Sequence, residues 1–185
     1  SARLAARNRT GKRDMVKGYG LAAIVMTSAL LASFSLHAAD PAELARINAI
    51  VTACERLEHD YAIYRDRGDA EAFANIFTED GEWGRPTTVL KGREAIREYI
   101  ASSSGGPPEA HMQFQTTIQI TPVDDTTATG ISYAIVLEAP IPEEGLPVPI
   151  IGFQVASESR STYRLTDEGW KIAKREYTTL FVDPE

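Results

Sequence analysis

Three histidines are available for proton chemistry in this 185-residue chain: His37, His59 and His111. An unperturbed imidazole titrates at about 6.5, so it can take a proton and return it at neutral pH. His37 closes an apolar segment near the N-terminus, which leaves His59 and His111 for the rest of the chain. His59 stands four residues after Glu55, a spacing that could touch a metal. Both lie off the apolar stripe of their helix and no third ligand follows at sensible spacing, so a solvated face is expected and no metal. Cys54 is the only cysteine, which excludes an intrachain disulfide and a Cys-rich metal site. It falls on the apolar stripe and reads as inert core.

His111 opens a strand-like run to Thr121, in which Met112, Phe114, Thr116, Ile118 and Ile120 alternate with Gln113, Gln115, Thr117 and Gln119. The histidine is in phase with the glutamines. Two arrangements account for that: a polar pocket face with the apolar phase buried in a dimer interface, or a β-bulge. A second alternation runs Phe153, Val155, Ser157, Ser159, Ser161, Tyr163. Serines amid large residues leave room and hydroxyls, so Ser157 and Ser159 are candidate pocket residues. Phe77, Trp83 and Tyr133 are further candidates for lining a pocket, with core packing as the default reading of such aromatics.

The elements that must position these residues fall into two halves. Asp40-Pro41 opens a helix, and Leu44, Ile47, Ile50, Val51, Cys54, Leu57 and Tyr61 recur at helical spacing until Arg67-Gly68. Asp69 caps a short second helix with Phe73, Ile76 and Phe77 inward. Thr78-Glu79-Asp80-Gly81 reads as a turn, followed by short strands at Glu82-Trp83 and Thr88–Leu90 and a third helix over Gly92–Ile100. From His111 onward the chain is strands: His111–Thr121, Thr126–Leu137, Phe153–Leu165 and Trp170–Val182. Helices first and strands after predict an α+β fold, a curved mixed or antiparallel sheet wrapped around N-terminal helices into a cone. An open cone mouth suits a small-molecule pocket. Glu138–Gly152 carries four of the ten prolines and interrupts two long strands. It is expected to be a lid, a dimer-contact arm or a simple insertion.

Charge is unevenly spread. Residues 1–17 hold six basic side chains and one acid, and Gly18–Ala39 holds no charge. A basic start, an apolar stretch and Leu36-His37-Ala38-Ala39 before Asp40 read as a signal peptide cut after Ala38 or Ala39. Met15 looks like a natural start. A membrane anchor is the alternative, although the apolar stretch barely reaches the ~20 residues a span needs. An exported, periplasmic product of residues 40–185 forming one domain is therefore expected. The leader takes six of the 19 basic residues and one of the 26 acidic ones, leaving 13 against 25 over 146 residues, a net charge of −12. That balance argues against nucleic-acid or anionic-membrane partners.

Several segments together resemble a known family. Tyr61-Ala-Ile-Tyr64-Arg-Asp66-Arg-Gly68-Asp69 and Phe73 through Trp83 resemble the first half of SnoaL-like domains. Leu90-Lys-Gly92-Arg-Glu-Ala-Ile96 is similar to their segment before the third helix. Ala110-His111-Met112 through Ile120 resembles their His-bearing strand, and Tyr163 through Ile172 their closing hairpin. The resemblance spans nearly all of residues 42–182 and points to the nuclear-transport-factor-2-like superfamily. Within it the chain looks most like the branch of scytalone dehydratase, bile acid 7α-dehydratase and hexachlorocyclohexane dehydrochlorinase.

The resemblance implies a buried Asp–His dyad, at Asp66 and His111, with Tyr61 matching a pocket tyrosine. His111 would be the base, Asp66 its orienting partner, and Tyr61 a donor to a substrate oxygen. The implied activity is that of a cofactor-independent lyase or isomerase, most simply a dehydratase. Its substrate would be a small, hydroxylated, apolar cyclic compound of aromatic or terpenoid kind. Isomerisation, cyclisation and retro-aldol cleavage would use the same parts. Pairing through the sheet into a homodimer or higher homo-oligomer is also expected. The alternative is a non-catalytic ligand-binding or assembly module, like the dioxygenase β subunits that share the fold. A second histidine known in scytalone dehydratase has no counterpart, and Thr178-Thr179 stand where some relatives have an arginine. Periodicity alone places Asp66 roughly 130° from the centre of its helix's apolar stripe, toward solvent.

Overall fold

The computed structural model describes residues 40–103, 106, 108–149 and 152–183. The leader expected over residues 1–39 lies outside the described residues. Helix α1 spans Pro41–Asp66, α2 Ala70–Asn75 and α3 Arg93–Ser103. The strands are β1 (Phe77–Arg85), β2 (Thr88–Lys91), β3 (Glu109–Pro122), β4 (Thr127–Pro140), β5 (Val155–Thr166) and β6 (Gly169–Val182). They form one curved six-stranded sheet in the order β2-β1-β6-β5-β4-β3. All neighbours are antiparallel except β1 and β6, which run parallel. The fold is the α+β arrangement expected, with a mixed sheet. Among the described residues no helix is long and apolar enough to cross a membrane.

The helix starts follow from side chains that capture free backbone N–H groups. Asp40 Oδ1 accepts from Ala42 N, and Asp69 Oδ1 from Ala72 N, both at 3.0 Å. Gly68, at φ 62°, takes the left-handed conformation that ends α1. The buried face of α1 carries Ile50, Cys54, Leu57 and Tyr61 onto a core of Phe73, Phe77, Ile96, Ile100, Tyr163 and Ile172. Burial pushes the Cys54 thiol up to about 12, as befits an inert core residue.

Two strands depart from a simple period of two. Thr78–Gly81, expected as a turn, belongs to β1. Between the pairs Phe77–Ile172 and Glu82–Lys174, β1 carries more residues than β6. The turn-type residues therefore bulge out of a strand pinned at both ends instead of reversing the chain. In β3 the register shifts between Thr116 and Gln119, and Thr117 takes φ 49°. Before the bulge, His111, Gln113 and Gln115 face inward while Met112 and Phe114 are exposed; after it, Ile118, Ile120 and Pro122 face inward. One extra residue thus lets a single strand present polar groups at one end and apolar groups at the other.

The segment Ile141–Pro149, with Gly152, is tied at both ends. Ile141 N donates to Pro108 O, and Gln154 N to Val136 O. It straps over the apolar outer residues Met112, Phe114, Leu137 and Ala139 and encloses a cavity there.

Candidate active site

Asp66 is the last residue of α1, at the end of the helix where a carboxylate gains nothing from the helix dipole. Its partners come from β3 instead. The Gln113 backbone N–H donates to both carboxylate oxygens, at 3.0 and 3.1 Å. His111 Nδ1 lies 2.8 Å from Asp66 Oδ1, and both side chains are largely shielded from solvent. With Nδ1–H donating to the carboxylate, Nε2 is left as the ring nitrogen able to accept a proton.

His111 lines a cavity of about 230 Å³ together with Tyr61, Trp83, Ser157, Ser159 and Tyr177. Tyr61 Oη accepts from Trp83 Nε1 at 3.1 Å, so its own proton is available to a ligand. Burial raises the Tyr61 phenol, with Arg175 pulling the other way, and the group stays a donor at neutral pH. Ser157 and Ser159 are reached through β5, which turns its serines inward.

Two sequence candidates lie elsewhere. Phe77 is fully buried against Phe73, and its carbonyl accepts from Arg93; it belongs to the core and lines neither cavity. Tyr133 sits on the outer face of β4, opposite Thr116 and Glu158, while its neighbours Ser132 and Ala134 are buried on the inner face. In β4 the bulky residues Tyr133 and Ile135 alternate with buried small ones and point away from the helices. His59 is exposed, as its place on α1 implies.

Sequence reasoning missed a buried ion pair behind Tyr61. Glu58 and Arg175 are almost fully buried, 2.6 Å apart. Glu58 also accepts from Ser132 at 2.8 Å and Tyr163 at 2.5 Å. The Arg175 guanidinium lies over the Tyr61 ring, 4.1 Å from its centroid. Burial alone would raise the Glu58 carboxyl, but the charge of Arg175 and the donated hydrogen bonds hold it below the usual carboxylate range. The missed signal was helical spacing: Glu58 falls four residues after Cys54 and three before Tyr61, inside the apolar stripe.

A six-stranded curved sheet around a capped helix, with an Asp–His pair at the wall of an inner cavity, defines a class of small-molecule pocket proteins. The chain belongs to the SnoaL-like domain family, whose model matches residues 48–176. A Novosphingobium aromaticivorans structure, named provisionally as a scytalone dehydratase, is similar over 75% of this chain and 89% of its own. Its identity is 23% and its TM-score 0.63. An NTF2-like protein with a cystatin-like fold from the same organism is 26% identical, over 78% of this chain and 93% of its own, with a TM-score of 0.59. A type 2 hexachlorocyclohexane dehydrochlorinase is 20% identical, over 77% and 93%, with a TM-score of 0.63. Each shares the fold. Comparison with curated proteins returned no match.

Proposed function

We propose that this protein is a proton-transfer lyase or isomerase that dehydrates a small hydroxylated cyclic compound. The observation that carries the reading is the 2.8 Å contact between Asp66 and the Nδ1 of His111, whose ring lines an open cavity. An imidazole held in one tautomer by a carboxylate is equipped to take a C–H proton and to be stabilised as imidazolium. Tyr61 supplies a hydrogen bond to the oxygen that gains charge, and Ser157 and Ser159 offer further hydroxyl contacts. Trp83, Tyr99 and Tyr177 offer ring surface to a cyclic ligand, while Arg65, Arg85, Gln113 and Glu138 add polar groups to the same wall.

A thermal-shift screen of hydroxylated aromatic and terpenoid compounds should return ligands that raise Tm. With a turned-over ligand in hand, Asp66→Asn and His111→Ala should each lower kcat by about 10²–10⁴-fold while circular dichroism stays unchanged. Full activity in either variant would sink the dyad.

Two further parts of the reading have their own support. The charge pattern of residues 1–39 supports export with cleavage after Ala38 or Ala39. The exposed apolar outer face, with Met112, Phe114, Tyr133, Ile135 and Phe181, supports pairing of two copies through the sheet.

A further inference from the structure

An elimination needs a proton donor for the leaving group as well as a base. Tyr61, with its raised pKa, is a hydrogen-bond donor and too weak an acid to release a proton readily. Glu138 is placed differently. In the β3–β4 register it stands directly across from His111. A second cavity, of about 640 Å³, lies beneath the Ile141–Pro149 strap and includes Asp66 and Glu109 in its wall. Among the described residues, the two cavities have only His111 and Glu138 in common. A ligand in either cavity therefore reaches both groups. Glu109, two residues before His111 on β3, shares this wall with Glu138, and two carboxyls so placed favour a proton on one of them.

We infer that Glu138 is the catalytic acid of the proposed elimination, protonating the departing hydroxyl while His111 removes the C–H proton. The inference rests on the dehydratase reading. The balance is simple. His111 Nε2 takes the proton, the C–H electron pair becomes the new double bond, and the C–O bond breaks. The Glu138 proton goes to the departing oxygen, which leaves as water. Imidazolium and carboxylate remain, and transfer of the proton from His111 to Glu138 restores both. Burial and the Glu109 carboxyl keep the Glu138 carboxyl above the usual range. The groups around it are Glu109 and His111 on β3 and Arg65 and Asp66 on α1. His111 and Arg65 pull in the opposite direction, so a proton arriving on His111 makes Glu138 readier to release its own.

The test uses two cyclohexanones, one with a hydroxyl and one with a 4-nitrophenoxy group at carbon 3. Both eliminate to cyclohexenone, but only the first needs an acid for its leaving group. Glu138→Gln should lower turnover of the hydroxy compound at least about 10²-fold and leave that of the nitrophenoxy compound within a few-fold. His111→Ala should lose both. Equal losses on the two probes in Glu138→Gln, or no loss on either, would overturn the acid role. Glu109→Gln should move the alkaline limb of kcat for the hydroxy compound to lower pH, since Glu138 then loses the neighbour that holds its proton. Titration of 13C-labelled glutamate carboxyls gives a readout free of turnover. A Glu138 resonance that titrates in the ordinary carboxylate range overturns the inference even if wild type eliminates neither probe, an outcome that by itself counts against the dehydratase reading.

Discussion

Asp66 would be a poor residue for its position if the helix were alone, because a carboxylate at a helix C-terminus meets the negative end of the dipole. Its location is understandable only through the Gln113 N–H and the His111 ring. That is why helical periodicity aimed it at solvent: the wheel reports the side of α1 that meets the core, and Asp66 meets the end of β3. Glu58 is the converse case, an acid inside the apolar stripe, legible by spacing and intelligible only once Arg175 is seen opposite. Removing one partner of such a buried pair strands the other, so Glu58→Gln should cost about 3–5 kcal/mol in urea unfolding at pH 7. The pH dependence has a definite sign. Glu58 is held below its unfolded value, roughly 4.3. Its contribution is full above that value and is lost as pH falls through the folded one. The difference in urea midpoint between wild type and Glu58→Gln should therefore be complete at neutral pH and shrink on acidification below about 4. A constant difference would exclude this role.

At the scale of elements, the helix limits were readable because Asp40, Asp69 and Gly68 are chemically suited to caps and stops. The bulges were not, because they depend on which strand lies alongside. In β3 the bulge, one of two explanations for the polar phase of His111, is present after Thr116, and before it the polar phase faces inward while Met112 and Phe114 are exposed. Thr117 is a β-branched residue at φ 49°. Thr117→Gly should raise stability by about 1 kcal/mol and Thr117→Val should not, as read from urea midpoints. Gly130 is needed for another reason: a Cβ there would lie 2.8 Å from the Tyr163 hydroxyl and 2.9 Å from Ile120. Gly130→Ala should destabilise by about 1–3 kcal/mol and loosen the Tyr163 hydrogen bond to Glu58.

At the scale of the whole molecule, the α+β order of elements was visible in the switch from helical to alternating periodicity after residue 108. The face of the sheet that the bulky residues of β4 occupy was not, since a period of two fixes alternation without fixing direction. Those residues make the outer surface apolar, and dimerisation through it is open to a direct check. Sedimentation velocity should give a dimer for residues 40–185, and Phe114→Lys with Ile135→Lys should give a folded monomer. A monomeric wild type would remove that reading. N-terminal sequencing of the protein recovered from the periplasmic fraction should begin at Ala39 or Asp40.

The parallel pairing of β1 with β6 bears on how such a chain can be made. β6 follows every other strand in sequence yet lies inside the sheet, and it alone joins the β1–β2 pair to the β3–β4–β5 array. Phe77 must find Ile172, so the sheet cannot be completed while the chain is still emerging from the ribosome. Until then, both parts keep open strand edges. Closing the sheet is therefore the last step available to a newly made chain, and it waits on β6.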